Sequence, residues 1–240
     1  MTEHRPVPGP LSLLPPREQA LWDAQQRAED LFDRVVKKGL LKPGRSESDV
    51  SAAIFQLARE EFGVRRHWHR RIVRCGANTL LTYFDEGPVL HIAADDLVFL
   101  DFGPVFAGWE ADLARSYVVG SDPAKRHLVE SIGAAFRSGQ ALYESTPELT
   151  AGDLYDHVAA LAVSGGWHFG AASAGHPVDA FPHKSPPGSR YVIEHGNSLP
   201  LREPLPDGRA RHWILEIHFV DRERGYGAFC EELLTVRRPR

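Results

Sequence analysis

Apolar positions recur at helical spacing twice near the start of the chain. From Glu18 to Lys38, the residues Leu21, Ala24, Ala28, Leu31, Phe32 and Val35 fall on one side of a 3.6-residue repeat, which predicts an amphipathic helix. Gly39 can end it, and Pro43-Gly44 supports a turn. Ser46 to Glu61 predicts a second helix, with Ala52, Ile54, Phe55 and Ala58 as its apolar face. Ser46 followed by Asp49 resembles a capping arrangement that sets a carboxylate near the positive end of the helix dipole. Residues 1–16 are rich in proline and predict an extended arm.

From His69 the pattern changes to short apolar runs. IVRCG predicts a strand, and LVFLDF predicts another after a turn at Ala94-Asp95-Asp96. ADLARSYVVG reads as the partner of LVFLDF. Helical spacing returns over Pro123–Glu144 and Ala151–Ser164, and the last third predicts strands at RYVIEHG, RHWILEIHFV and AFCEELLTV. Helices segregated from antiparallel strands indicate an α+β fold. The order of two helices, strands, two helices, strands repeats once, and nothing between residues 17 and 240 reads as a linker between domains.

Composition narrows the picture. With 42% apolar and 25% charged residues over 240 positions, the chain can bury a core without staples. A net charge of -4 implies no general attraction to nucleic acid or an anionic membrane. Basic residues do cluster in RRHWHRR, Arg65 to Arg71, which suits either an RNA contact or a solvated approach to the next strand, and Ile72 and Val73, following directly, favour the second. Cys75 and Cys230 form neither a metal motif nor a disulfide framework. The proline-rich start does not resemble a signal peptide and no apolar run reaches membrane-spanning length, so the expected location is the cytoplasm.

Five polar residues sit where apolar neighbours dominate. Asp101 ends Leu97-Val98-Phe99-Leu100, and a buried carboxylate there requires a partner or a metal. Asp112 follows eleven residues later, across a reversal that could bring both carboxylates to one point. The plainer alternative is a turn aspartate plus an exposed strand aspartate. Glu216 interrupts WILEIHFV, where alternation groups it with Ile214 and His218. Glu231 lies beside Glu232, a pair whose default reading is solvated, and His176 follows Gly175 in a loop-like stretch. Together these residues offer hard oxygen donors and one nitrogen, a mixture suited to Mn, Fe, Co or Zn more than Mg.

In that order and context the chain resembles the pita-bread metallohydrolases, the group of methionine aminopeptidase, prolidase, Xaa-Pro aminopeptidase and the non-peptidase creatinase. The resemblance covers nearly all of residues 18–236. Its carriers are LDFGPVFAGWEADLARSYVVG, with Asp101, Asp112 and Ser116 at the usual threonine; GHPVDAFPH, with His176 and His183; LEIHF, with Glu216; and FCEELLTV, with Glu231. The resemblance implies a pseudo-twofold α+β pita-bread fold with a curved antiparallel sheet and two divalent ions, manganese first, with cobalt, iron or zinc as alternatives. Asp112 and Glu231 would bridge the ions, Asp101 would hold one, and His176 and Glu216 would complete the other. Glu216 would also handle the proton of the attacking water, and His183 would hydrogen-bond the substrate.

The implied activity is that of an aminopeptidase or dipeptidase on short peptides, similar to a prolidase-like bacterial branch, with homodimer formation common in the group. A creatinase-like hydrolase of a small amide or amidino compound, or a non-catalytic binding protein, are the alternatives. Several positions depart from the family pattern. Tyr83 stands near a usual histidine about eighteen residues before the first aspartate, with His91 as a weaker substitute. Pro177 and Asp179 interrupt the glycine-rich histidine loop, and Lys184 stands where a glutamate often follows the second histidine. The separate amino-terminal domain of many prolidases is not seen in this sequence.

Overall fold

A computed structural model describes residues 14–183 and 189–237. Most of the expected arm, and Lys184, fall outside the described residues. The elements run α1 (Pro16–Lys37), α2 (Glu47–Glu61), β1 (Ile72–Cys75), a 3-10 turn (Gly76–Leu80), β2 (Asp96–Phe102), β3 (Val105–Phe106), β4 (Trp109–Glu110) and β5 (Leu113–Val119). The second half repeats the order: α3 (Pro123–Ser145), α4 (Ala151–Ser164), β6 (His168–Phe169), β7 (Pro177–Val178), β8 (His212–Asp221) and β9 (Tyr226–Leu233). One antiparallel sheet is built in the order β1-β2-β5-β9-β8-β6, with β7 also paired to β8. This is the expected α+β pita-bread architecture with its pseudo-twofold arrangement.

The helices cover one face of the sheet in two pairs. The six apolar residues of α1 named above are all buried; Ala24, Ala28, Leu31, Phe32 and Val35 pack with α2 against Val73, Val98, Leu100 and Leu113, whereas Leu21 packs with Val178, Ile214 and Leu233. Helices α3 and α4 pack Leu128, Phe136, Leu154 and Val158 against Leu215, Ile217 and Phe219 of β8. Ser46 caps α2 by accepting a hydrogen bond from the Asp49 amide at 3.0 Å. The apolar face of α2 is rotated from the expected one: Val50, Ile54, Leu57 and Ala58 are buried, whereas Ala52 is exposed and Phe55 half-buried. Small size made Ala52 compatible with either side.

RYVIEHG is not a strand. Ile193 fills the core from a loop, while Tyr191 and Val192 are half-buried. The Ile193 carbonyl accepts from the Ala174 amide at 2.6 Å, and the Ile193 amide donates to the Gly175 carbonyl at 2.9 Å. Those two bonds fasten the stretch carrying His176.

Glu47 holds α2 to the edge of the sheet. Its buried carboxylate accepts from the Cys75 amide (2.8 Å), the Asn78 side-chain amide (3.0 Å) and the Leu90 amide (3.2 Å). Removing the acceptor leaves buried donors unpaired, each costing on the order of 1–3 kcal/mol. Glu47→Ala is therefore expected to lower unfolding stability by about 3 kcal/mol, measured by urea denaturation; a loss below about 1 kcal/mol would mean that water replaces the carboxylate.

Candidate metal centre

Sheet register brings the predicted acidic residues together. Asp101 on β2 lies opposite Ala114 on β5, Ala114 opposite Glu231 on β9, and Glu231 opposite Glu216 on β8. Residues paired across antiparallel strands point to the same face. One row across four strands thus presents three carboxylates, with an alanine between them that leaves their space open. Asp112, two residues before Ala114, adds the fourth. Leu215 and Ile217 turn to the helices, as the alternation around Glu216 predicts.

His176 enters from the loop before β7. Gly175 has φ +142°, and a side chain there would collide with the Ile214 carbonyl. The His176 carbonyl accepts from the Ile214 amide at 2.8 Å, which fixes the loop against β8. Its Nε2 lies 3.2 Å from Asp112 Oδ2, 3.2 Å from Glu216 Oε1 and 3.6 Å from Glu231 Oε1. All five predicted residues converge.

The electrostatics are those of negative groups forced together out of water. Burial, reinforced by the Asp112 and Glu216 charges, holds the Asp101 carboxyl up at about 7. Burial also raises Glu231 well above the ordinary range, with Asp112 and Glu216 adding to the push, and it raises Glu216. Asp112 shifts down, because His69 and His176 overcome the effect of its burial. Burial opposes charge on His176, yet hydrogen bonds to Asp112 and Glu231 raise it well above the usual imidazole value.

Two residues of the site were not anticipated. His69 places Nε2 3.1 Å from Asp112 Oδ1 and 3.6 Å from Asp101 Oδ1, and its pKa rises to about 9 because the Asp112 and Asp101 charges outweigh burial. RRHWHRR is therefore not simply a solvated approach. Arg65, Arg66 and Arg70 are exposed, while the rings of Trp68 and His69 turn inward. Glu110, buried beside Asp112, is the other: its Oε2 meets His183 Nδ1 at 2.6 Å and its Oε1 accepts from the His183 amide at 3.0 Å. The signals were a histidine pair flanking a tryptophan just before a strand, and a second acid two positions from Asp112.

The remaining candidates have separate places. Trp68 packs its indole against the rings of both His176 and His183, at centroid distances of 5.6 and 6.1 Å. Tyr83 stands 5.9 Å, ring to ring, from His69. His91 is exposed and pairs with Ser46, away from the carboxylates. Pro177 opens β7, and Asp179 is tied to Arg17 of α1 at 2.7 Å. A cavity of about 330 Å³ opens onto the cluster between Trp68, His69, Tyr83, Phe84, Val192 and Phe229. An adjoining cavity of about 180 Å³ runs past Glu216 to Arg74, Phe99 and His218.

A family model described as metallopeptidase family M24 matches residues 19–238. The chain belongs to metallopeptidase family M24. Its structure is similar to that of a prolidase from Thermococcus sibiricus, at 21% identity and TM-score 0.70, over 91% of this chain and 56% of that one. Xaa-Pro dipeptidase from Bacillus anthracis is similar at 22% identity and TM-score 0.72, over 92% and 57%. Dipeptidase PepE from Mycobacterium ulcerans is similar at 24% identity and TM-score 0.69, over 90% and 55%. These likenesses establish the fold, and the chain corresponds to little more than half the length of those proteins. Comparison with curated protein sequences found no match.

In this M24 chain the donor atoms form two overlapping groups. Asp112, His176 and Glu231 make one and His69, Asp101 and Asp112 the other, with the atoms of each group within 4.8 Å of one another. Cations fit there for two reasons. Asp101 Oδ1 is buried without a hydrogen-bond partner among the described residues, a costly state for a carboxylate. His176 Nδ1 is 2.9 Å from the Pro177 carbonyl, which can only accept, so the neutral ring turns the lone pair of Nε2 toward three carboxylates. Either protons or cations must lie between them. A divalent ion entering the cluster must displace protons held by groups whose affinities are raised, so binding should release protons and weaken as the pH falls through about 7. Titration of Mn or Co into weakly buffered protein with a pH indicator should show at least one proton released per ion. Proton-neutral, pH-independent binding would contradict this picture of the site.

Proposed function

We propose that this M24 protein is a metal-dependent aminopeptidase or dipeptidase acting on short peptides. The observation that carries the reading is the convergence of Asp101, Asp112, Glu216 and Glu231 with His176 beside an aromatic-walled cavity. Asp101, Asp112, His176, Glu216 and Glu231 would hold two divalent ions. Carboxylate oxygens with one imidazole favour manganese. When bound, such ions acidify water and polarise a scissile carbonyl.

The chain's own groups divide the remaining work. Glu216 is the most accessible of the four carboxylates, its side chain 20% exposed against 2–6% for the others, and it borders both cavities. It would take the proton of the attacking water and return it to the leaving nitrogen. Glu110 fixes the orientation of His183, whose Nε2 is buried without a partner among the described residues; His183 borders the neighbouring cavity beside Arg17 and Asp179, and the family resemblance gives it the role of hydrogen-bonding the substrate. Trp68, Tyr83, Phe84 and Phe229 line the cavity and would contact apolar parts of the substrate. Both thiols are free and buried, which supports a reducing location such as the cytoplasm.

A small amide or amidino substrate is the second reading. One observation favours it: Tyr83, near the place where the family usually has a histidine, lines the cavity and offers a hydroxyl instead of an imidazole.

Purified protein loaded with Mn or Co should release the amino-terminal residue from dipeptides or short peptides, Xaa-Pro among them. Glu216→Gln should keep the fold and lower kcat by about 10²–10⁴-fold. Turnover of amides but not peptides would reject the peptidase assignment, and near-normal activity of Glu216→Gln would reject the proton role.

A further inference from the structure

Of the histidines facing the carboxylate cluster, His69 is the one the family pattern does not supply. Its side chain is 8% exposed and its Nε2 points between Asp112 Oδ1 and Asp101 Oδ1. Its Nδ1 lies 2.7 Å from the carbonyl of the next residue, Arg70. His176 is built the same way, with Nδ1 2.9 Å from the carbonyl of the next residue, Pro177. A backbone carbonyl can only accept, so in both neutral rings Nδ1 carries the hydrogen and Nε2 offers a lone pair to the carboxylates. That arrangement fixes the tautomer and direction of a metal-binding imidazole.

The ring cannot easily swing away. The Trp68 amide donates to the Gly103 carbonyl at 2.9 Å, and the Val105 amide donates to the Arg66 carbonyl at 3.0 Å, so the segment lies along the turn after β2. Trp68 Nε1 donates to the Ala111 carbonyl at 3.0 Å, and its indole sits 4.6 Å from the His69 ring, centroid to centroid. Gly103 closes the other side: any side chain there would collide with the imidazole. A clamped imidazole thus faces Asp101 Oδ1, the buried carboxylate oxygen left without a hydrogen bond.

We propose that His69 is an additional protein ligand of the ion held by Asp101 and Asp112. The inference rests on the dinuclear reading above and extends it: both ions would carry one histidine, where the five-residue set gives only one of them an imidazole. A nitrogen donor in place of water makes that ion's site more closed and more selective for transition metals over Mg.

The test is a titration of the metal-free 240-residue chain with Co(II), followed by absorption spectroscopy and by competition with a chromophoric chelator. Wild type should bind two ions. His69→Ala and His69→Gln should each weaken one of them at least about tenfold, the loss typical even of a residue that only supports a ligand. The d–d spectrum of that ion should change while that of the other is kept, and free imidazole should restore it in His69→Ala. Circular dichroism of the metal-free variants guards against misfolding, and His69→Gln keeps the side-chain bulk if His69→Ala folds poorly. Two ions bound with unchanged affinity and spectrum in both variants would overturn the role of His69 alone. A single ion in wild type, joined by a second in His69→Ala, would show that the imidazole replaces a cation and would also overturn it. No ion bound by any form would remove the dinuclear reading and this inference with it.

Discussion

Four carboxylates share one buried spot, and their mutual repulsion is the constraint around which the rest of the molecule is arranged. Asp101, Asp112 and Glu231 are almost fully withdrawn from water, and Glu216 is only slightly exposed. Charges so close in a low-dielectric setting must be neutralised, by protons, by imidazolium or by metal ions. Burial and that repulsion raise the proton affinity of Asp101 and Glu231, and attraction to the same carboxylates raises that of His176. What the fold must supply is rigidity enough to prevent the carboxylates from moving apart.

The sheet supplies it. The β2–β5 and β8–β9 pairs meet where β5 joins β9, so the row Asp101, Ala114, Glu231, Glu216 runs across four hydrogen-bonded strands. A strand cannot slip by one residue without turning its whole apolar set from the helices to the cluster, so the core enforces the register of the acids. Residues outside the row arrive by loops pinned to it. Gly175 lets the backbone pass close to Ile214 and delivers His176, and Gly103 lets the 66–69 segment lie close enough to deliver His69. The pinning contacts to Ile193 come from a segment whose apolar pattern reads as a strand, yet which serves as a brace.

Much of this was legible in the chain. The helices follow from apolar spacing to within a residue or two, because each buries a single continuous stripe. A carboxylate ending LVFLD, and another inside WILEIHF, stand out because buried strands rarely tolerate an unpaired charge. The companions of these acids were harder to see. His69 lies among arginines, and only the path of the turn at Gly103 separates the solvent-facing members of RRHWHRR from the inward ones. Glu110 and Glu232 look alike as acids beside functional neighbours. Glu110 turns to His183, whereas Glu232 pairs with Arg115 on the side of the sheet away from Glu231. Such distinctions depend on three-dimensional packing that periodicity does not encode.

Asp101, Asp112, His176, Glu216 and Glu231 together would form one dinuclear metal centre. Anomalous X-ray diffraction from crystals of the Mn-loaded protein tests it most directly. Two manganese peaks are expected inside the cluster lined by Asp101, Asp112, His176, Glu216 and Glu231. Carboxylates that stay hydrogen-bonded through shared protons, with no anomalous peak between them, would contradict it.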